Sequence, residues 1–89
     1  MRARELTGLR ESLVRETRGA TALVDSLVAN PYITIATAAK ALGVMVPTAT
    51  RQIRELEAKG LLRETTGRGW RKVYVCAEIL TVLEKGAES

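Results

Sequence analysis

Eighty-nine residues, 46% apolar and 27% charged, allow one domain with a small core, because a chain of this size hides only about 60 to 65% of its surface on folding. Histidine is absent and cysteine occurs once, at Cys76, so imidazole catalysis, the usual zinc sites and internal disulfides are excluded. With no glycine-rich phosphate loop and no clustered carboxylate pair, the chain is expected to be no enzyme and to hold no cofactor or metal, and Cys76 is expected to be a packing residue. No segment approaches the roughly 18 apolar residues of a membrane span, and Met1 to Arg4 lead into charge rather than a signal-peptide core. A cytoplasmic location and no membrane partner follow as expectations.

In chain order, residues 4–17 place Leu6, Leu9 and Leu13 at i, i+3 and i+7, with Arg10, Glu11, Arg15 and Glu16 elsewhere on the wheel. This predicts an amphipathic helix of about four turns. Gly8 inside it costs roughly 1 kcal/mol relative to alanine. The leucine stripe needs a cover: the body of this domain, a second copy docked through Leu6, Leu9 and Leu13, or a neighbouring domain. Residues 1–19 are therefore set apart as a linker or dimerisation helix.

Gly19 breaks or bends the pattern before a second helix over residues 20–29, whose Leu23, Val24, Leu27 and Val28 form the densest stripe and mark it as the main core helix. Asn30 and Pro31 end it, since the residue before proline is pushed out of the helical region. Tyr32, Ile33 and Thr34 are β-prone and predict a very short strand, and Thr34 stands where a cap would start the next helix. Over residues 35–42 the alanines permit close helix approach, with Ile35, Ala38, Ala39 and Leu42 as the inner face and Gly43 as the stop. Val44, Met45 and Val46 then turn tightly into a helix over residues 47–59, where Ala49, Ile53 and Leu56 make one stripe at about 100° per residue. Pro47 suits a helical first turn and Gly60 a left-handed stop. Two short helices joined by a glycine-containing turn form a helix-turn-helix pattern.

The hairpin that follows is predicted from Leu62 to Thr66, a turn at Gly67 to Gly69, and a strand in which Val73 and Val75 face inward while Lys72 and Tyr74 face out. Ile79, Leu80 and Leu83 resume helical spacing from Ala77 to about Lys85. The expected fold is thus mainly α with a small β-hairpin: a winged helix-turn-helix over residues 20–85, preceded by the amphipathic helix and followed by a disordered tail over 86–89.

Charge marks one part of this fold. Between Lys59 and Lys72 lie five basic residues, Lys59, Arg63, Arg68, Arg71 and Lys72, against the single acid Glu64. That surplus equals the net charge of +4 of the whole chain, so the excess sits on the helix end and the hairpin, where a phosphate backbone could meet it. On the outward face of the 47–59 helix, Arg51 and Arg54 can pair bidentately with guanine, flanked by Thr48 and Gln52. Arg63, Arg68, Arg71 and Lys72 would position the domain on phosphates without reading sequence. Glu55 and Glu57 oppose tight binding. Trp70 has two readings, a minor-groove or sugar contact and packing over the hairpin.

Residues 23–83 resemble the winged helix-turn-helix module at the carboxyl end of bacterial Fic (filamentation induced by cAMP) family proteins. The resemblance is carried by Asn30-Pro31, Ile33-Thr34, Ala38-Ala39, Leu42-Gly43-Val44, Pro47-Thr48-Ala49, Leu56, Gly60-Leu61-Leu62-Arg63-Glu64, Thr66-Gly67-Arg68 and Val73-Tyr74-Val75. One departure is Met45, at a place where such modules usually carry a serine or threonine cap; losing it costs roughly 1 kcal/mol. The family's nucleotide-transfer motifs, His-Pro-Phe and Gly-Asn-Gly-Arg, have no counterpart in this sequence, so the resemblance implies an accessory domain with a Fic catalytic domain as partner. The expected function is duplex DNA binding; the rival is a protein-docking module whose basic wing meets an acidic surface.

Overall fold

The computed structural model describes residues 2–18 and 20–88, with side chains over 5–18 and 20–84. Its elements are α1 (Arg2–Glu16), α2 (Thr21–Ala29), β1 (Tyr32–Thr34), α3 (Ile35–Leu42), α4 (Val46–Ala58), β2 (Arg63–Glu64), β3 (Val73–Val75) and α5 (Ala77–Glu88). The break expected at Gly19 lies outside the described residues. α5 continues past the expected stop at Lys85, taking into the helix most of the stretch expected to be a tail, of which Ser89 lies outside the described residues.

The helix-turn-helix is built by its punctuation. Thr34 accepts from the Thr37 amide through Oγ1 at 3.2 Å, satisfying a first-turn donor of α3 that has no partner within the helix. Gly43 takes φ 67° and ends α3, a conformation costly for any side chain with a Cβ. α3 and α4 then pack on each other through Ala38, Ala39, Ala49 and Ile53, all in the core. Ala38, Ala49 and Ile53 are fully buried, the small alanines allowing the close approach. Leu23, Val24 and Leu27 of α2 complete this centre, and Ile79 of α5 and the Cys76 thiol join it. Burial pushes the Cys76 thiol above its ordinary pKa, which fits a packing residue rather than a nucleophile.

α1 belongs to the same body. It packs against α2 and α5, Leu13 is 3% exposed within the core, and Leu9 and Val14 pack against that core. Arg10 ties α1 to α2 by donating to Asp25 from Nε at 2.6 Å and from Nη2 at 3.3 Å. Of the three open covers for the leucine stripe, the domain itself therefore takes Leu9 and Leu13. The reading of these leucines as a dimer seam is corrected for Leu13, which is already inside.

The sheet has the order β1-β3-β2 and is antiparallel throughout, with Ile33 opposite Tyr74, Tyr32 and Arg63 opposite Val75, and Glu64 opposite Tyr74. The short strand expected at Tyr32 to Thr34 is present and makes β3 the central strand. β3 does not alternate as the sequence predicts: Val75 is buried as expected, but Tyr74 is buried too and Val73 is only half-buried. Tyr74 is 3% exposed and belongs to the core cluster with Ile33, Leu62 and Cys76, while Val75, though buried, stands outside that cluster. Successive residues of a strand point to opposite faces, so the burial of both Tyr74 and Val75 covers both faces of β3, and the polar tip of tyrosine did not mark a solvent side. β2 is shorter than Leu62 to Thr66: Leu62 packs into the core, and Thr65 reaches the Val73 carbonyl with both its amide, at 2.8 Å, and its Oγ1, at 2.9 Å.

Candidate nucleic-acid interface

Burying Ala49, Ile53 and Leu56 fixes the rotation of α4, and Arg51, Arg54, Glu55 and Ala58 are consequently exposed. Thr48 and Gln52 are half-buried at the margins of that face. Pro47 occupies the first turn, and Met45, the N-cap residue, makes no side-chain capping bond and is 78% exposed.

The two arginines look to different neighbours. Arg51 and Gln52 line an open cleft of about 210 Å³ with Glu16, Thr17 and Arg18 from the α1–α2 connection and with Glu55 and Lys59 of α4 and its cap. Arg18 holds a left-handed φ of 58° there. Lys59 donates from Nζ to the Glu16 carbonyl at 2.9 Å, so one of the charges counted toward the basic surface instead satisfies the carboxyl end of α1. Arg54 lies on the sheet side, where its charge, with those of Glu57 and Glu64, is felt by the Tyr74 hydroxyl; burial foremost, and then the two carboxylates, raise that hydroxyl's pKa, while Arg54 works against them.

The wing is a loop held from both ends. On one side the Glu64 carboxylate accepts from the Thr66 amide and hydroxyl and from the Gly67 amide at 2.7 Å. These donors hold its pKa below the ordinary carboxylate value, with the Thr66 hydroxyl the largest cause and Lys72 a smaller one. On the other side Arg68 donates from Nε to the Trp70 carbonyl at 2.9 Å and from Nη2 to the Arg71 carbonyl at 2.8 Å. Gly67 at φ 66° and Arg71 at φ 46° supply the left-handed turns; the expected turn glycine Gly69 does not. Arg68, Arg71 and Lys72 line a second hollow of about 350 Å³ with Thr34, Ile35, Ala36 and Val73.

The eight residues proposed from sequence thus fall into groups. Arg51 and Gln52 share the first cleft, and Arg68, Arg71 and Lys72 share the second. Thr48, Arg54 and Arg63 line neither. Sequence reading missed Arg18 beside α4, for which no signal existed, and the inward roles of Glu64 and Arg68. A carboxylate two residues before a Thr-Gly turn was the available signal for Glu64. Trp70 is 67% exposed, with the Arg68 guanidinium 5.9 Å from its ring centroid, so it is not packed over the hairpin.

Two helices at a tight turn, the second exposing Arg51 and Arg54 beside Glu55 and Glu57, followed by a basic hairpin on a three-stranded sheet, define a winged helix-turn-helix module. Residues 22–63, from α2 to the start of β2, match the family described as winged helix-turn-helix DNA-binding. No curated protein and no solved structure matches the chain. Among the described residues, no helix is long and apolar enough to cross a membrane.

Proposed function

We propose that this domain binds duplex DNA, with α4 in the major groove and the wing against the backbone. The observation that carries the reading is the orientation of α4: its apolar stripe is sealed in the core, so Arg51 and Arg54 are exposed on its outer face, where a guanidinium can meet a guanine edge. Thr48 and Gln52 flank them, and Arg63, Arg71 and Lys72 supply the phosphate contacts, with Arg68 serving them mainly by holding the loop. A module with so few phosphate contacts binds weakly, so useful affinity comes from a larger protein or a second copy. The role that fits is an accessory, regulatory domain in the cytoplasm; its attachment to a Fic catalytic domain rests on the sequence resemblance alone.

The test is fluorescence anisotropy of the purified chain with a random duplex over a salt series. Binding at low salt should fall steeply with salt, the pair Arg71→Ala and Lys72→Ala should flatten the logarithmic slope by about two units, and Arg51→Ala with Arg54→Ala should weaken binding. Absence of binding even at low salt would reject the reading in favour of a protein-docking module.

A further inference from the structure

We propose that Trp70 is a stacking platform for an unpaired base, so that the wing directs this domain to duplex DNA interrupted by unpaired nucleotides. The inference rests on the nucleic-acid reading above and adds a ligand class to it.

Trp70 is the chain's sole tryptophan, and at 67% exposure it is the largest apolar side chain left in water among the described residues. A ring in this position contributes little to the fold, yet the loop is built to hold it still. Thr65 closes the base of the loop on Val73, and Glu64 ties down Thr66 and Gly67. Arg68 reaches across the tip to fix the backbone that follows the ring, through the Trp70 and Arg71 carbonyls, while its guanidinium stands over the indole. The ring is thereby presented at the tip on a backbone ordered before any ligand arrives, which lowers the entropy lost on binding. Arg71 and Lys72 follow it directly and bring positive charge to the same loop.

The ligand follows from the shape of DNA. Within a continuous duplex both faces of every base are covered by its neighbours, and an indole presented from the backbone side meets only sugar and phosphate. At a run of unpaired nucleotides a base can leave the stack, and every base has a face that accepts an aromatic partner whatever its sequence. A rigid indole beside two cations matches that target: the cations hold the phosphates while the ring takes the base.

The chain supplies its own reporter, since tryptophan emission comes from Trp70 alone. The probes are a fully paired duplex and the same duplex with a central run of unpaired thymines, titrated at low salt. The unpaired probe should quench the emission and bind roughly tenfold tighter than the paired one, within the range expected for one stacked base. Trp70→Ala should remove that preference while leaving binding to the paired duplex unchanged, and Trp70→Phe should restore most of it, read by anisotropy. Because the ring lies outside the core, both variants keep the wild-type melting transition. Equal affinity of the wild type for the two probes, or a preference that survives in Trp70→Ala, would overturn the inference while leaving duplex binding intact. Failure to bind either probe would overturn both readings.

Discussion

Single residues in the wing carry charges whose work is internal as much as external. Glu64 is the one acid in a basic stretch, and its carboxylate organises the loop through three donors on Thr66 and Gly67. Its folded pKa lies below the unfolded value, so its contribution is present above the ordinary glutamate range and is lost as pH falls through the folded pKa. The melting temperature of the wild type should therefore exceed that of Glu64→Gln at neutral pH, and the gap should close as the solution is acidified below about pH 4. A gap that stays constant with pH would mean the carboxylate charge does not hold the loop. Composition reveals the charge surplus but not this division of labour. Arg68 and Lys59 count as positive in the sequence, yet the structure bonds them to carbonyls of Trp70, Arg71 and Glu16. Nothing local in the sequence announces a bond such as Lys59 to Glu16, which spans more than forty positions.

Elements were legible where their ends carry chemistry. α3 could be read residue for residue because Thr34 is its cap and Gly43 its left-handed stop, and both are local devices. α4 starts one residue before Pro47, and its buried stripe is the one the spacing predicts. β3 was legible as a strand, with Val75 inward, but the burial of Tyr74 on its other face was not. Two valines around a tyrosine read as valine-in, and only the pairing with β1, which places Tyr74 opposite Ile33, turns Tyr74 toward the core. The partner of α1 was open for the same reason, since a stripe states that it will be covered and not by what. At this scale α4 has one correctable weakness, its missing side-chain cap at Met45. Met45→Ser should add about 1 kcal/mol, a rise of roughly 4 to 8 °C in melting temperature for a domain of this size. Met45 is 78% exposed, so little packing is lost in exchange. An unchanged melting temperature would show that the first-turn amides are already satisfied.

At the scale of the molecule, one core joins all five helices and the sheet, with α1 fastened to it by Leu13 and by the Arg10–Asp25 pair. The outer face of α4 then has the α1–α2 connection, with Arg18, on one side and the sheet, near Tyr74, on the other. Whether this face and the wing act together on one duplex is the central claim, and amide chemical-shift mapping of the labelled chain with duplex DNA tests it most directly. The account predicts that the largest shifts fall on residues 48–54 of α4 and 63–72 of the wing, vanishing together as salt is raised. Shifts confined to α1 and α5, or to the wing with α4 silent, would contradict it.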